Sequence, residues 1–169
     1  MIRMLKFFID SLFMLLCLGI VGFFLILPFG VFTTKVANVR FQGLEGYWSL
    51  PFLYWIGIGF SIATYILFLI GINYLRKTAN RFISDSFYST KTSKDLRLSG
   101  IFLVLSAFLL AVTYSMFWLM NVSSGSIKFI LGTDIMIPLF LSIVGFFFIL
   151  QSKVLDQARL FKEDSNLTI

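Results

Sequence analysis

The sequence contains no histidine and a single cysteine, Cys17. By itself, therefore, the chain cannot build a histidine-dependent triad, a Cys/His nucleophile pair or a multi-cysteine zinc site. Cys17 lies in an apolar run and reads as a small packing residue. Proline occurs three times, and the twelve glycines form no phosphate loop. Charge is equally scarce, at 13% of residues against about 25% in soluble domains. No Asp, Glu, Lys, Arg or His falls deep inside an apolar run, which argues against a proton relay, an ion site built from charge, and gating charges. Asp10 comes nearest, and it reads as an interfacial residue one turn after Lys6. The expectation is a chain that is not an enzyme and needs no metal or cofactor.

The chain is instead rich in hydrocarbon. Hydrophobic residues make up 59% of it and aromatics 18%, with a mean hydropathy of +0.94. Four runs approach the roughly 20 residues that cross about 30 Å of hydrocarbon: residues 11–32, 52–75, 100–120 and 135–152. They are continuous, not alternating, and an open sheet edge in lipid would leave backbone groups without partners, so helices are expected. The first run reads as a retained helix and not a signal peptide, because Asp10 sits at its entrance and no small-x-small site follows. The expected fold is all-α, a polytopic membrane protein in one domain, 1–169. Its four transmembrane helices would form a compact bundle, with a loop at 76–99 and an amphipathic cytoplasmic C-terminal extension at 153–169.

Basic residues orient it. Arg3 and Lys6, then Arg76, Lys77, Arg81, Lys91, Lys94 and Arg97, then Lys153, Arg159 and Lys162 flank one set of span ends. The opposite ends have only Lys35, Arg40 and Lys128. Eleven against three places both termini and the 76–99 segment in the cytoplasm. Tyr47, Trp48, Tyr54, Trp55 and Trp118 fall at the outer ends, where amphipathic rings settle among headgroups. Asp134 suits a cap for the fourth helix, with Pro138 near enough to its start to do little harm.

Small residues recur at every fourth position: Ala107, Ala111 and Ser115 on the third run, and Gly57 with Ser61 and Gly59 with Ala63 on the second. These read as helix-packing faces, with contact between copies of the chain as the alternative. IVGFFLIL at 20–27 and IVGFFFIL at 143–150 differ at one position and would run in opposite directions. That is the polarity of an inverted repeat, but no broken helix or polar midplane site accompanies it, so chance similarity is the preferred reading.

The 76–99 segment suits anionic headgroups or a docked protein, and no folded module for reading nucleic acid is present. In the tail, Val154, Leu155, Ala158 and Phe161 share one helical face, with Asp156, Gln157, Arg159 and Lys162 mostly opposite. Glu163 and Asp164 would be repelled by anionic lipid, which makes Lys162, Glu163, Asp164, Leu167, Thr168 and Ile169 a candidate protein-recognition end.

Phe87, Tyr88 and Ser89, then Lys94, Leu96, Arg97 and Gly100 in a KxLRxxG pattern, and finally Lys162, Glu163, Asp164, Leu167, Thr168 and Ile169 complete a set of motifs. With four spans and a basic central segment, this resembles the DUF2975 family of small bacterial membrane proteins. The resemblance implies residence in the bacterial cytoplasmic membrane and no assigned activity. Because such proteins are often encoded beside a small helix-turn-helix regulator, it also implies a cytosolic DNA-binding protein as partner. Two functions follow as expectations: a regulatory or scaffold protein for that partner, or a small transporter or binder of an apolar or amphiphilic ligand within the bundle.

Overall fold

A computed structural model describes residues 2–32, 52–83, 89–123 and 133–167. These form four helices, α1 Ile2–Phe32, α2 Phe52–Ile83, α3 Thr90–Ser123 and α4 Thr133–Leu167, and no strand occurs among the described residues. At 31 to 35 residues each, the helices reach about 46–53 Å, well beyond the roughly 30 Å of a hydrocarbon core. Three of them are long and apolar enough to cross a membrane, over Trp55–Phe82, Thr90–Leu119 and Ile135–Asp164.

The helices pack mainly in chain order, α1 on α2, α2 on α3 and α3 on α4. Among the described residues α1 meets the other helices mainly through α2. Met4, Phe7, Phe8, Met14, Leu15 and Leu18 are all largely exposed, and in hydrocarbon such side chains lose little by facing lipid instead of protein.

α3 is the organising element. Thr92, Ser99, Ser106 and Thr113 recur every seventh residue and are all buried. Leu96 and Leu103 follow four residues after the first two, and Ser93, Gly100 and Ala107 form an adjoining buried row with the same repeat. Alternating steps of three and four residues keep such a stripe facing a partner in near-parallel packing. The hydroxyls are satisfied locally or across helices: Ser99 Oγ donates to Gly71 O at 2.8 Å and Ser93 Oγ to Ser152 O at 2.8 Å. Ser106 Oγ bonds Leu103 O at 2.8 Å and Thr113 Oγ1 bonds Leu109 O at 2.9 Å, within α3.

This register corrects part of the small-residue reading. Ala107 is buried, but Ala111 and Ser115 are exposed, because two successive four-residue steps walk off a 3.5-residue stripe. Gly57 does pack, against the ring of Phe117, whereas Gly59 and Ser61 are exposed and Ala63 is half-buried. A close backbone-to-backbone approach lies elsewhere. A Cβ on Gly100 would fall 2.5 Å from Gly145 O, and one on Gly145 would fall 2.9 Å from Gly100 O. Gly22, the counterpart of Gly145 in the repeated octapeptide, has nothing within 4 Å of such a Cβ, so the two octapeptides do not share a packing role.

The 76–99 segment is also corrected, from loop to mostly helix. α2 continues unbroken to Ile83 and α3 begins at Thr90. Residues 76–83 include neither Gly nor Pro. The start of α3 is capped by Ser89, whose Oγ accepts the Thr92 N–H at 3.3 Å.

Candidate functional site

The polar end is assembled by contacts between residues distant in sequence. Arg76 on α2 donates through Nε to Asp10 Oδ1 on α1 at 2.5 Å, and its guanidinium stands 5.2 Å over the Phe13 ring. Five residues along α2, Arg81 meets Asp95 on α3 at 2.5 Å, as an ion contact and not an aligned hydrogen bond. Ser93 then ties α3 to α4 through Ser152 O. These three links bring the N-terminal parts of α1 and α3 and the C-terminal parts of α2 and α4 to one end of the molecule, as alternating up-and-down helices require.

The links sort the sequence-derived candidates. Arg76 and Arg81 are held between helices, and Lys77 lies 4.9 Å over the Tyr74 ring while remaining exposed. Lys91, Lys94 and Arg97 are exposed at three-residue steps along one side of α3, a basic stripe with no link to hold it inward among the contacts above. Asp10, read from sequence as an interfacial neighbour of Lys6, is an interhelical partner instead.

The tail continues α4 without a break to Leu167. Leu155, Ala158 and Arg159 lean inward and half-buried, whereas Val154, Leu160 and Phe161 are exposed. The apolar face expected from periodicity is thus split between two sides. Arg159 reaches Glu163 at 3.5 Å, one turn on, and Lys162, Glu163 and Asp164 are exposed. Thr168 and Ile169 lie outside the described residues, as do Phe87 and Tyr88.

The motif that suggested a family has a physical reading. Ser89 caps α3, Leu96 is buried, Gly100 permits the α3–α4 crossing, and Lys94 and Arg97 face outward. Sequence reasoning missed Gly71, Ser99 and Gly145 as the partners of this core. A seven-residue search over hydroxyls on α3 would have found half of it.

Two clefts open along the spans. One, of about 580 Å³, lies between α1 and α2 beside Gly19, Ile58, Ser61 and Tyr65, and there the Tyr65 hydroxyl donates to Leu16 O at 2.7 Å. The other, of about 370 Å³, is walled by α2, α3 and α4 around Thr64, Phe68, Ser106 and Phe140. Among the described residues no group of three or more His, Cys, Asp or Glu side chains is placed to hold a metal ion.

Long apolar helices, hydroxyls bonded within or between them and charge gathered at one end define a helical membrane protein. The chain belongs to the DUF2975 family, described as proteins of unknown function, whose family model matches residues 43–169. The match takes in α2, α3 and α4 and begins after α1. No curated protein and no solved structure matches the chain.

Proposed function

We infer that this protein is a non-enzymatic anchor of the bacterial cytoplasmic membrane that holds a cytosolic regulatory protein against its polar end. In this reading α1, the most apolar of the four helices, is a fourth span, and both ends of the chain and the α2–α3 junction face the cytoplasm. The observation that carries the reading is the cross-tied polar end. α2, α3 and α4 run past their apolar stretches as helix, joined through Arg81–Asp95 and Ser93–Ser152, and α3 exposes Lys91, Lys94 and Arg97 on either side of the Ser93 tie.

Lipid attraction alone needs only loose basic charge. A basic stripe on α3 together with the exposed acidic pair Glu163 and Asp164 farther out on α4 suits a protein surface bearing both signs. The family resemblance makes a small DNA-binding regulator the partner of choice, with the protein itself touching no nucleic acid. Affinity capture from native membranes tests this, using the full chain, a chain ending at Lys153, and Lys91→Glu with Lys94→Glu. A cytosolic protein retained by the first and lost from both others is expected. Identical captured proteins from all three would reject the reading.

A further inference from the structure

The smaller cleft has a chemical feature that packing alone leaves unexplained. Thr64 forms part of its wall, is 6% exposed, and its Oγ1 meets no hydrogen-bond partner. A threonine hydroxyl in a membrane helix ordinarily bonds a carbonyl one turn back. The other buried hydroxyls among the described residues have partners: Thr78, Ser106, Thr113 and Ser152 bond their own helix, Ser93 and Ser99 bond a neighbouring one, and Thr92 shares a bond with Ser89. Thr64 stands apart from all of these, in a medium where an unmet donor is costly.

The surroundings restrict what could meet it. The residues lining the cleft are uncharged, so a charged ligand would find no counter-ion in hydrocarbon. Thr64 lies midway along the apolar stretch 52–75, at a depth that ester carbonyls held in the interfacial layer do not reach. Phe68 and Phe140 are among the residues lining the same space, while the Tyr65 hydroxyl reaches to α1; aromatic rings there suit a flat ring through offset or edge-to-face contact. The 370 Å³ of the cleft lies within the range of small-molecule sites, about 300–1,000 Å³.

The geometry points to a binding site for a neutral, membrane-dissolved ring carbonyl of the quinone class, its ring beside Phe68 and Phe140 and one carbonyl oxygen accepting from Thr64. Thr64 Oγ1 is buried in the wall, so bonding to the ligand requires a change of χ1 to another staggered rotamer. The site is separate from the polar end, and each reading stands without the other.

The test uses full-length protein in detergent micelles, titrated with a decyl-tailed benzoquinone by equilibrium dialysis, with thermal unfolding measured in parallel. One saturable site is expected. Thr64→Val, which keeps the shape and removes the hydroxyl, should bind roughly three- to tenfold more weakly, the worth of one net hydrogen bond. Thr64→Ser should bind nearly as well as wild type. Without ligand, Thr64→Val should unfold at the same temperature as wild type or higher, since it removes an unmet donor. Equal affinity of wild type and Thr64→Val, absence of saturable binding, or a lower unfolding temperature of ligand-free Thr64→Val would each overturn the proposal. So would displacement of the quinone by an equal concentration of short-chain diacyl phospholipid, which would assign the cleft to lipid tails.

Discussion

At the scale of single residues, two backbones touch where two glycines meet. With a Cβ at Gly100 directed at Gly145 O and at Ile149 N, both backbone atoms, no side-chain rotamer can relieve the clash, and the helices must move apart. Gly100→Ala is expected to cost about 1–3 kcal/mol, the usual range for overpacking, read as a lowered unfolding temperature in detergent. Gly22→Ala, where a Cβ meets nothing within 4 Å, should be neutral or slightly stabilising because it only raises helix propensity. Equal effects at the two positions would refute the crossing. The two ion pairs differ in the same spirit. Asp10–Arg76 is partly open to solvent, with side chains 29% and 40% exposed, and a double-mutant cycle should return under about 1 kcal/mol. Asp95, 14% exposed, is better shielded, so Asp95→Asn should cost more than Asp10→Asn in the same assay. The reverse order would contradict the assignment of Arg81–Asp95 as the tighter tie.

At the scale of the element, α3 works because its small and hydroxyl-bearing residues follow the period of its neighbours. Ser99 is the point where this matters most, since its hydroxyl crosses to Gly71 O in the buried seam between α2 and α3. Ser99→Ala is expected to destabilise by about 0.6 kcal/mol and at most about 1.7 kcal/mol, the span found for hydrogen bonds between membrane helices. Ala111→Leu, on the exposed side of the same helix, should leave the unfolding temperature nearly unchanged. A loss larger than that of Ser99→Ala would mean that Ala111 packs against another chain. α4 has a different character. Its outer turns carry half-buried Leu155, Ala158 and Arg159, which truncation after Lys153 removes with the exposed residues, leaving the Ser93–Ser152 tie of the α3–α4 seam in place.

At the scale of the whole molecule, the arrangement predicts a single polar end. Substituting Cys17 and placing a new cysteine at Lys94 should give a site protected from an impermeant thiol reagent in intact cells, with one at Gly43 labelled. The opposite pattern would invert the proposed orientation. Among the described residues α1 joins α2 through the Asp10–Arg76 pair, the Arg76–Phe13 stack and the Tyr65–Leu16 hydrogen bond. The family match begins after it, and the core of the molecule is the α2–α3–α4 layer.

The class of the protein and its helical make-up were legible in the sequence alone, because hydrocarbon leaves the backbone so few choices. Hydropathy marks where α2, α3 and α4 cross, and the basic residues group at the ends that the structure brings together. What composition and spacing do not reveal is which side of each helix meets protein, since lipid-facing and buried positions are equally apolar. The Ala107, Ala111 and Ser115 stripe was therefore only partly right, and the contacts that decide the packing, Gly100 with Gly145, Ser99 with Gly71 and Ser93 with Ser152, join residues 28 to 59 positions apart. Nor does a run of charge disclose that 76–83 and 90–99 are helix, because the Arg81–Asp95 and Ser93–Ser152 ties that steady them exist only once the helices are side by side. Tertiary structure alone set Thr64 in the wall of a cleft without a partner, because a hydroxyl's satisfaction depends on what the other helices bring to it.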